Sequence, residues 1–145
     1  MTYKTLIFGS RSNLSRRLKE NINNSELISS EAVLNNKNYL EKFKSFENIN
    51  IVINSFYPAS RLNNFVEPEM YIQSSILTLA IVLDQIKKFQ LNIGRVLYSS
   101  SASVYGVNSL CHEGDALMPL SLHSSLKISS EKLIEGFCRE MNIDY

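Results

Sequence analysis

The sequence predicts an α/β fold, a doubly wound parallel sheet in three α/β/α layers, and three observations carry that expectation. Short apolar, β-prone runs alternate with stretches of helical periodicity along the 145 residues. The first and last of these runs stop at small or polar residues, Gly9 and the triple serine Ser99 to Ser101, where strand-to-helix loops belong. A hydrophobic content of 44% is enough to bury one continuous core, so a single domain over residues 1–145 is expected.

The elements follow in order. Thr5-Leu6-Ile7-Phe8 is a strand ending at Gly9, and Leu14, Leu18 and Ile22 then restart a helical spacing. Leu27 and Ile28 form a second short apolar run. Tyr39, Phe43 and Phe46 recur at helical spacing and predict a helix there, before Ile49 to Ile53 supplies a β-branched strand. Pro68 suits a first helical turn and opens a stretch in which Ile72, Ile76, Leu79, Leu83 and Ile86 keep one face, the longest helix of the first hundred residues. Val96-Leu97-Tyr98 is another strand. A loop from Gly106 to Pro119 leads to a final helix marked by Leu126, Leu133, Ile134 and Phe137. The Leu, Ile and Phe stripes are read as core.

Composition excludes several classes. Fifteen basic residues nearly balance fourteen acidic ones and the charges are scattered, so nucleic acid and anionic membrane surfaces are not expected partners. The N-terminus lacks a signal-peptide pattern and no stretch approaches ~20 apolar residues, so a cytoplasmic location is expected. Cys111 and Cys138 are far apart and read as free thiols. Cys111-His112-Glu113 lacks the second histidine of a zinc-protease helix, Ala116 standing in its place, and no metal is expected.

The chemistry-bearing residues fall at the strand ends. A doubly wound sheet offers the first strand-to-helix loop to a pyrophosphate, and that loop reads Gly9-Ser10-Arg11-Ser12-Asn13-Leu14-Ser15. Val96 to Gly106, with Ser99-Ser100-Ser101-Ala102-Ser103-Val104-Tyr105-Gly106 at its centre, and His123-Ser124-Ser125-Leu126-Lys127 complete the set. An i, i+4 pair on a helix points both side chains to one side, so His123 and Lys127 belong together.

On these residues the chain resembles the N-terminal part of the extended short-chain dehydrogenases, the NAD-dependent sugar-nucleotide epimerases, dehydratases and reductases. The resemblance implies a Rossmann-like fold and a C-terminal substrate domain that this chain does not carry. It implies catalytic roles for Ser101, which would orient the substrate oxygen, for Lys127, which would hold the nicotinamide ribose, and for His123, which occupies the family's tyrosine position. Gly9, Arg11, Ser12, Asn13, Leu14, Asn54, Ser55, Phe56, Ser99 and Lys127 would contact the cofactor, NAD or NADP. A nucleotide sugar would be the substrate, within surface-polysaccharide precursor synthesis, and a homodimer is a possible assembly.

The chain also departs from the family's pattern. Ser12 and Ser15 replace two of three loop glycines, Asn54-Ser55-Phe56 replaces alanines that line the cofactor, and Ser75 replaces an asparagine on the long helix. Ser29-Ser30, after the second strand, shows neither the acid of an NAD enzyme nor the base of an NADP enzyme, although Arg11 is placed to meet a 2′-phosphate. At position 123 a phenol with pKa near ~10 gives way to an imidazole near ~6.5, which a neighbouring cation lowers further and keeps mostly neutral. A second reading therefore stands beside the enzyme: a non-catalytic relative that keeps the fold as a binding or assembly module.

Overall fold

The computed structural model describes residues 3–54, 56, 67–107 and 110–145. Four strands, β1 (Tyr3–Phe8), β2 (Ser25–Ile28), β3 (Asn48–Ile53) and β4 (Ile93–Tyr98), pair in parallel in the order β2-β1-β3-β4. Phe8 stands opposite Ile28 and Ile53, and Ile53 opposite Tyr98, so all four carboxyl ends share one rim. The ladder runs one residue further: Gly9 N–H donates to the Ile28 carbonyl, Asn54 N–H to Phe8, and Ser99 N–H to Ile53. Chain direction across the sheet reverses at β1, which makes the rim between β1 and β3 the switch point where open α/β sheets bind ligands.

Right-handed crossovers place α1 (Asn13–Asn21) on one face and the later helices on the other. That second face carries the main core. Leu6, Phe8, Ile28, Ile49, Ile51, Ile53 and Val96 from the sheet meet Val33, Leu79, Val82, Ile86, Ile134 and Cys138 from the helices. Full burial of each large aliphatic side chain contributes about 1.5–3 kcal/mol, so this layer dominates stability. On the α1 face, Ile7 and Val52 are buried, yet Leu97, next in the same cross-strand row, is 53% exposed. The three-layer architecture holds, with its α1 layer covering the β1 side of the sheet.

Three elements differ from expectation. The helix expected through Tyr39, Phe43 and Phe46 is a 3₁₀ helix, Tyr39–Phe43, preceded by a short helix α2 (Ser30–Asn35). Ser29 caps α2 by accepting from Ala32 N–H, and the asparagine run then ends it, Asn36 Oδ1 accepting from Asn38 N–H. The buried Gln85 side chain accepts from Leu40 N–H and donates to the Asn36 carbonyl, satisfying the backbone that leaves helical geometry.

The long helix is continuous from Pro68 to Lys88 but has three parts: α3 (Pro68–Ile72), a π turn (Gln73–Leu77) and α4 (Thr78–Lys88). Hydroxyls accompany the irregular turn. Ser75 Oγ donates to the Tyr71 carbonyl at 2.5 Å, and Thr78 Oγ1 to the Gln73 carbonyl at 3.3 Å. Lastly, Leu14 is 49% exposed and Ser15, not a leucine, is the buried residue of α1. The final helix is α5 (Leu122–Met141), after which Asp144 bridges to Arg95 and accepts from Val96 N–H. Cys111 and Cys138 are free thiols.

Candidate functional site

A cleft of about 760 Å³ opens over the rim. Gly9, Arg11 and Ser12 form one wall, Ser29 and Ser30 extend it beyond β2, and Asn54 and Phe56 follow β3. The opposite wall is Ser99, Ser100 and Ser101 after β4, with His123 and Lys127 from α5. The three segments singled out in the sequence therefore face one space.

Gly9 has φ +91°, a left-handed conformation that favours glycine, whereas Ser12 sits at φ −71° and ψ 139°, where any residue is comfortable. Ser12 is the N-cap of α1, its Oγ accepting from Leu14 N–H at 3.1 Å. Arg11 meets Glu31 at 3.9 Å with both side chains in solvent, a pair that adds little stability. Asn13 and Leu14, expected at the cofactor, are exposed on the first turn of α1 and do not line the cleft, because the helix carries their side chains off the rim. Ser55 lies outside the described residues.

On the far wall, Ser101 Oγ shares a 2.9 Å hydrogen bond with Ser103 Oγ and caps the 3₁₀ helix Ala102–Tyr105. Gly106 ends that turn at φ +76°, and a Cβ there would meet the Met118 carbonyl at 2.8 Å. Ser121 caps α5 in a reciprocal box with Ser124, which fixes the turn that carries His123.

Lys127 is 5% exposed and ties two strand ends together. Its Nζ donates to the carbonyls of Ser99 at 2.5 Å and Asn54 at 3.2 Å, and lies 4.8 Å from the centre of the Tyr98 ring. Burial holds the Lys127 ammonium below its ordinary pKa, with Glu131 opposing. Burial pushes the Tyr98 phenol up to about 12, against a hydrogen bond with Ser130 and helped by Glu131. His123 is held below its ordinary value, first by burial and then by the Lys127 charge, so it is mostly neutral at pH 7.

Met70, Tyr71 and Ser74 also line the cleft, although the apolar stripe of the long helix does not include them. The π turn explains the omission. One extra residue in a turn rotates what precedes it by roughly 100°, so the face extrapolated back from Leu79 lands on Ile72, which is exposed, while Tyr71 is buried. The available signal was the polar run Gln73-Ser74-Ser75, which interrupts the apolar stripe between Ile72 and Ile76.

A parallel sheet with a cleft at its switch point, a serine-bearing strand end and a lysine reaching back from the next helix defines a Rossmann-like nucleotide-binding fold. Residues 3–145 match the NAD dependent epimerase/dehydratase family, and the chain belongs to that family. No curated protein matches it in sequence.

Solved structures share the fold. UDP-N-acetylglucosamine 4-epimerase from Methanobrevibacter ruminantium M1, in complex with UDP-N-acetylmuramic acid, has TM-score 0.72 and 22% identity over 100% of this chain and 54% of its own. L-threonine dehydrogenase from Phytophthora infestans has TM-score 0.72 and 14% identity over 97% and 51%. UDP-glucuronic acid 4-epimerase from Bacillus cereus, in complex with NAD, has TM-score 0.69 and 18% identity over 97% and 53%. The chain spans about half the length of these proteins. Among the described residues no helix is long and apolar enough to cross a membrane, and no three His, Cys, Asp or Glu side chains cluster to hold a metal.

Proposed function

We propose that the rim cleft binds NAD and serves an epimerase, dehydratase or reductase acting on a nucleotide sugar. The observation that carries this reading is the shared cleft, in which the Gly9 turn, the Ser99 to Ser101 strand end and the His123–Lys127 pair face one another. A volume of about 760 Å³ falls within the range of small-molecule and cofactor sites, and the left-handed Gly9 leaves the backbone open to a pyrophosphate. Gly9, Arg11 and Ser12 would hold that end of the cofactor, Ser29 and Ser30 would face the adenosine ribose, and Asn54, Phe56, Ser99 and Lys127 would hold the nicotinamide half.

Bound NAD supplies a hydride acceptor and donor. The chain's own residues then position a substrate oxygen and move one proton. Ser101 Oγ offers a hydrogen bond to that oxygen, and neutral His123 can accept a proton from it. Lys127, anchored on two carbonyls, places a positive charge beside the histidine and would hold the nicotinamide ribose. The UDP-sugar complexes of the structural neighbours support a nucleotide-sugar substrate, and surface-polysaccharide precursor synthesis and a cytoplasmic location belong to the same proposal.

A specific observation favours the second reading, a non-catalytic module: Ser12 already occupies the Leu14 N–H that a phosphate would otherwise take. Titrating NADH and NADPH into the protein while following nicotinamide fluorescence separates the two. Saturable binding is expected, with activity rising in His123→Tyr. No binding of either dinucleotide at millimolar concentration, in the natural protein and in His123→Tyr alike, removes the enzyme reading.

A further inference from the structure

Two serines at glycine positions and an asparagine at an alanine position look like three separate losses in the sequence. The structure joins them. Asn54 Nδ2 donates to Ser12 Oγ at 2.5 Å and to Ser15 Oγ at 3.2 Å, across 42 and 39 residues of chain. Ser15 is 0% exposed and Asn54 8% exposed, so the bond between them is shielded from water, while Ser12 is half-buried at the cleft wall. The backbone of Asn54 continues the connection: its N–H donates to Phe8 at the end of β1, and its carbonyl accepts from Lys127.

Each change answers another. Ser12 and Ser15 adopt extended and helical backbone, so a Cβ brings no conformational strain at either position. What a serine does bring is a hydroxyl, and a buried hydroxyl without a partner is destabilising. Asn54 supplies that partner to the buried Ser15, and gives the half-buried Ser12, whose Oγ already accepts from Leu14 N–H, a second bond. An asparagine facing two glycines would in turn leave its own amide unbonded in the interior. Serines without Asn54, or Asn54 without the serines, are each worse than all three together.

We propose that Ser12, Ser15 and Asn54 are one coupled replacement for the two glycines, and that Asn54 is the positioning residue that fixes the first turn and the Lys127 ammonium relative to each other in the cleft. The positioning role rests on the NAD reading of that cleft. Asn54 reaches both walls, its side chain holding α1 and its backbone carbonyl accepting from Lys127, so loss of the side chain frees the α1 wall while the carbonyl contact to Lys127 remains.

Four proteins test this: the natural chain, Asn54→Ala, Ser12→Gly/Ser15→Ala, and the triple variant. Glycine caps a helix nearly as well as serine and alanine is the best helix former, so the double change removes the hydroxyls with little other cost. Thermal unfolding is read without ligand, and NADH affinity well below all four midpoints. Each partial variant is expected to lose about 5 °C or more in Tm, while the triple variant loses less than the sum of the two. NADH binding is expected to weaken about tenfold in both partial variants and in the triple variant alike, because all three lack the link from Asn54 to α1, and NADH binding unchanged in all three overturns the positioning role. Additive Tm losses overturn the coupling whatever NADH does. Non-additive Tm losses with no NADH binding to any of the four proteins uphold the coupling, remove the positioning role and bring down the cofactor reading with it.

Discussion

His123 concentrates the chemistry of the site in one side chain. Its pKa is depressed by burial and by Lys127, so the unfolded chain binds the proton more readily than the folded one. The associated stability is fully present above the unfolded value near ~6.5 and is lost as pH falls through the lower folded value. In His123→Gln the Tm-against-pH curve is therefore expected to be flatter below about pH 6.5 than in the natural chain. Identical slopes for the two proteins would contradict this account of the site. Gly106 gives a steric counterpart, combining positive φ with a carbonyl 2.8 Å from any added Cβ. Gly106→Ala should cost about 2 kcal/mol and lower Tm by several degrees. Gly114→Ala, where an added Cβ meets nothing within 4 Å, is the control and should change little.

At the scale of elements, α5 shows how a cap becomes part of a site. Ser121 and Ser124 close the first turn, and His123 and Lys127 follow one turn apart on the same side. Ser121→Ala is expected to cost about 1 kcal/mol, and Ser121→Gly only a few tenths, measured by denaturant unfolding. An alanine variant as stable as the natural chain would show that this box does not hold the turn. In the sequence β1, β3 and β4 are legible as apolar, β-prone runs and α5 as a stripe at helical spacing. The sequence did not reveal α2, whose six residues are too few for such a stripe, nor the phase slip at Gln73–Leu77, which rotates Tyr71 inward in place of Ile72. The Ser12–Asn54–Ser15 cluster was illegible for another reason: each bond joins residues some forty positions apart, and nothing local in the chain signals them.

Taken as a whole, the molecule is a parallel sheet whose order, β2-β1-β3-β4, aligns every strand end on one rim and gathers the site there. The match over residues 3–145 gives the family and the architecture gives the fold, while the identity of the residues on the rim decides what the cleft can do. Whether a single cleft at this rim receives the cofactor is decided by amide chemical-shift mapping with NAD. Added NAD should shift the amides of Gly9 to Ser12, of Ser99 to Ser101 and of His123 to Lys127 together, along one saturation curve. Shifts confined to other surfaces, or no shifts at millimolar NAD, would contradict a single cofactor cleft.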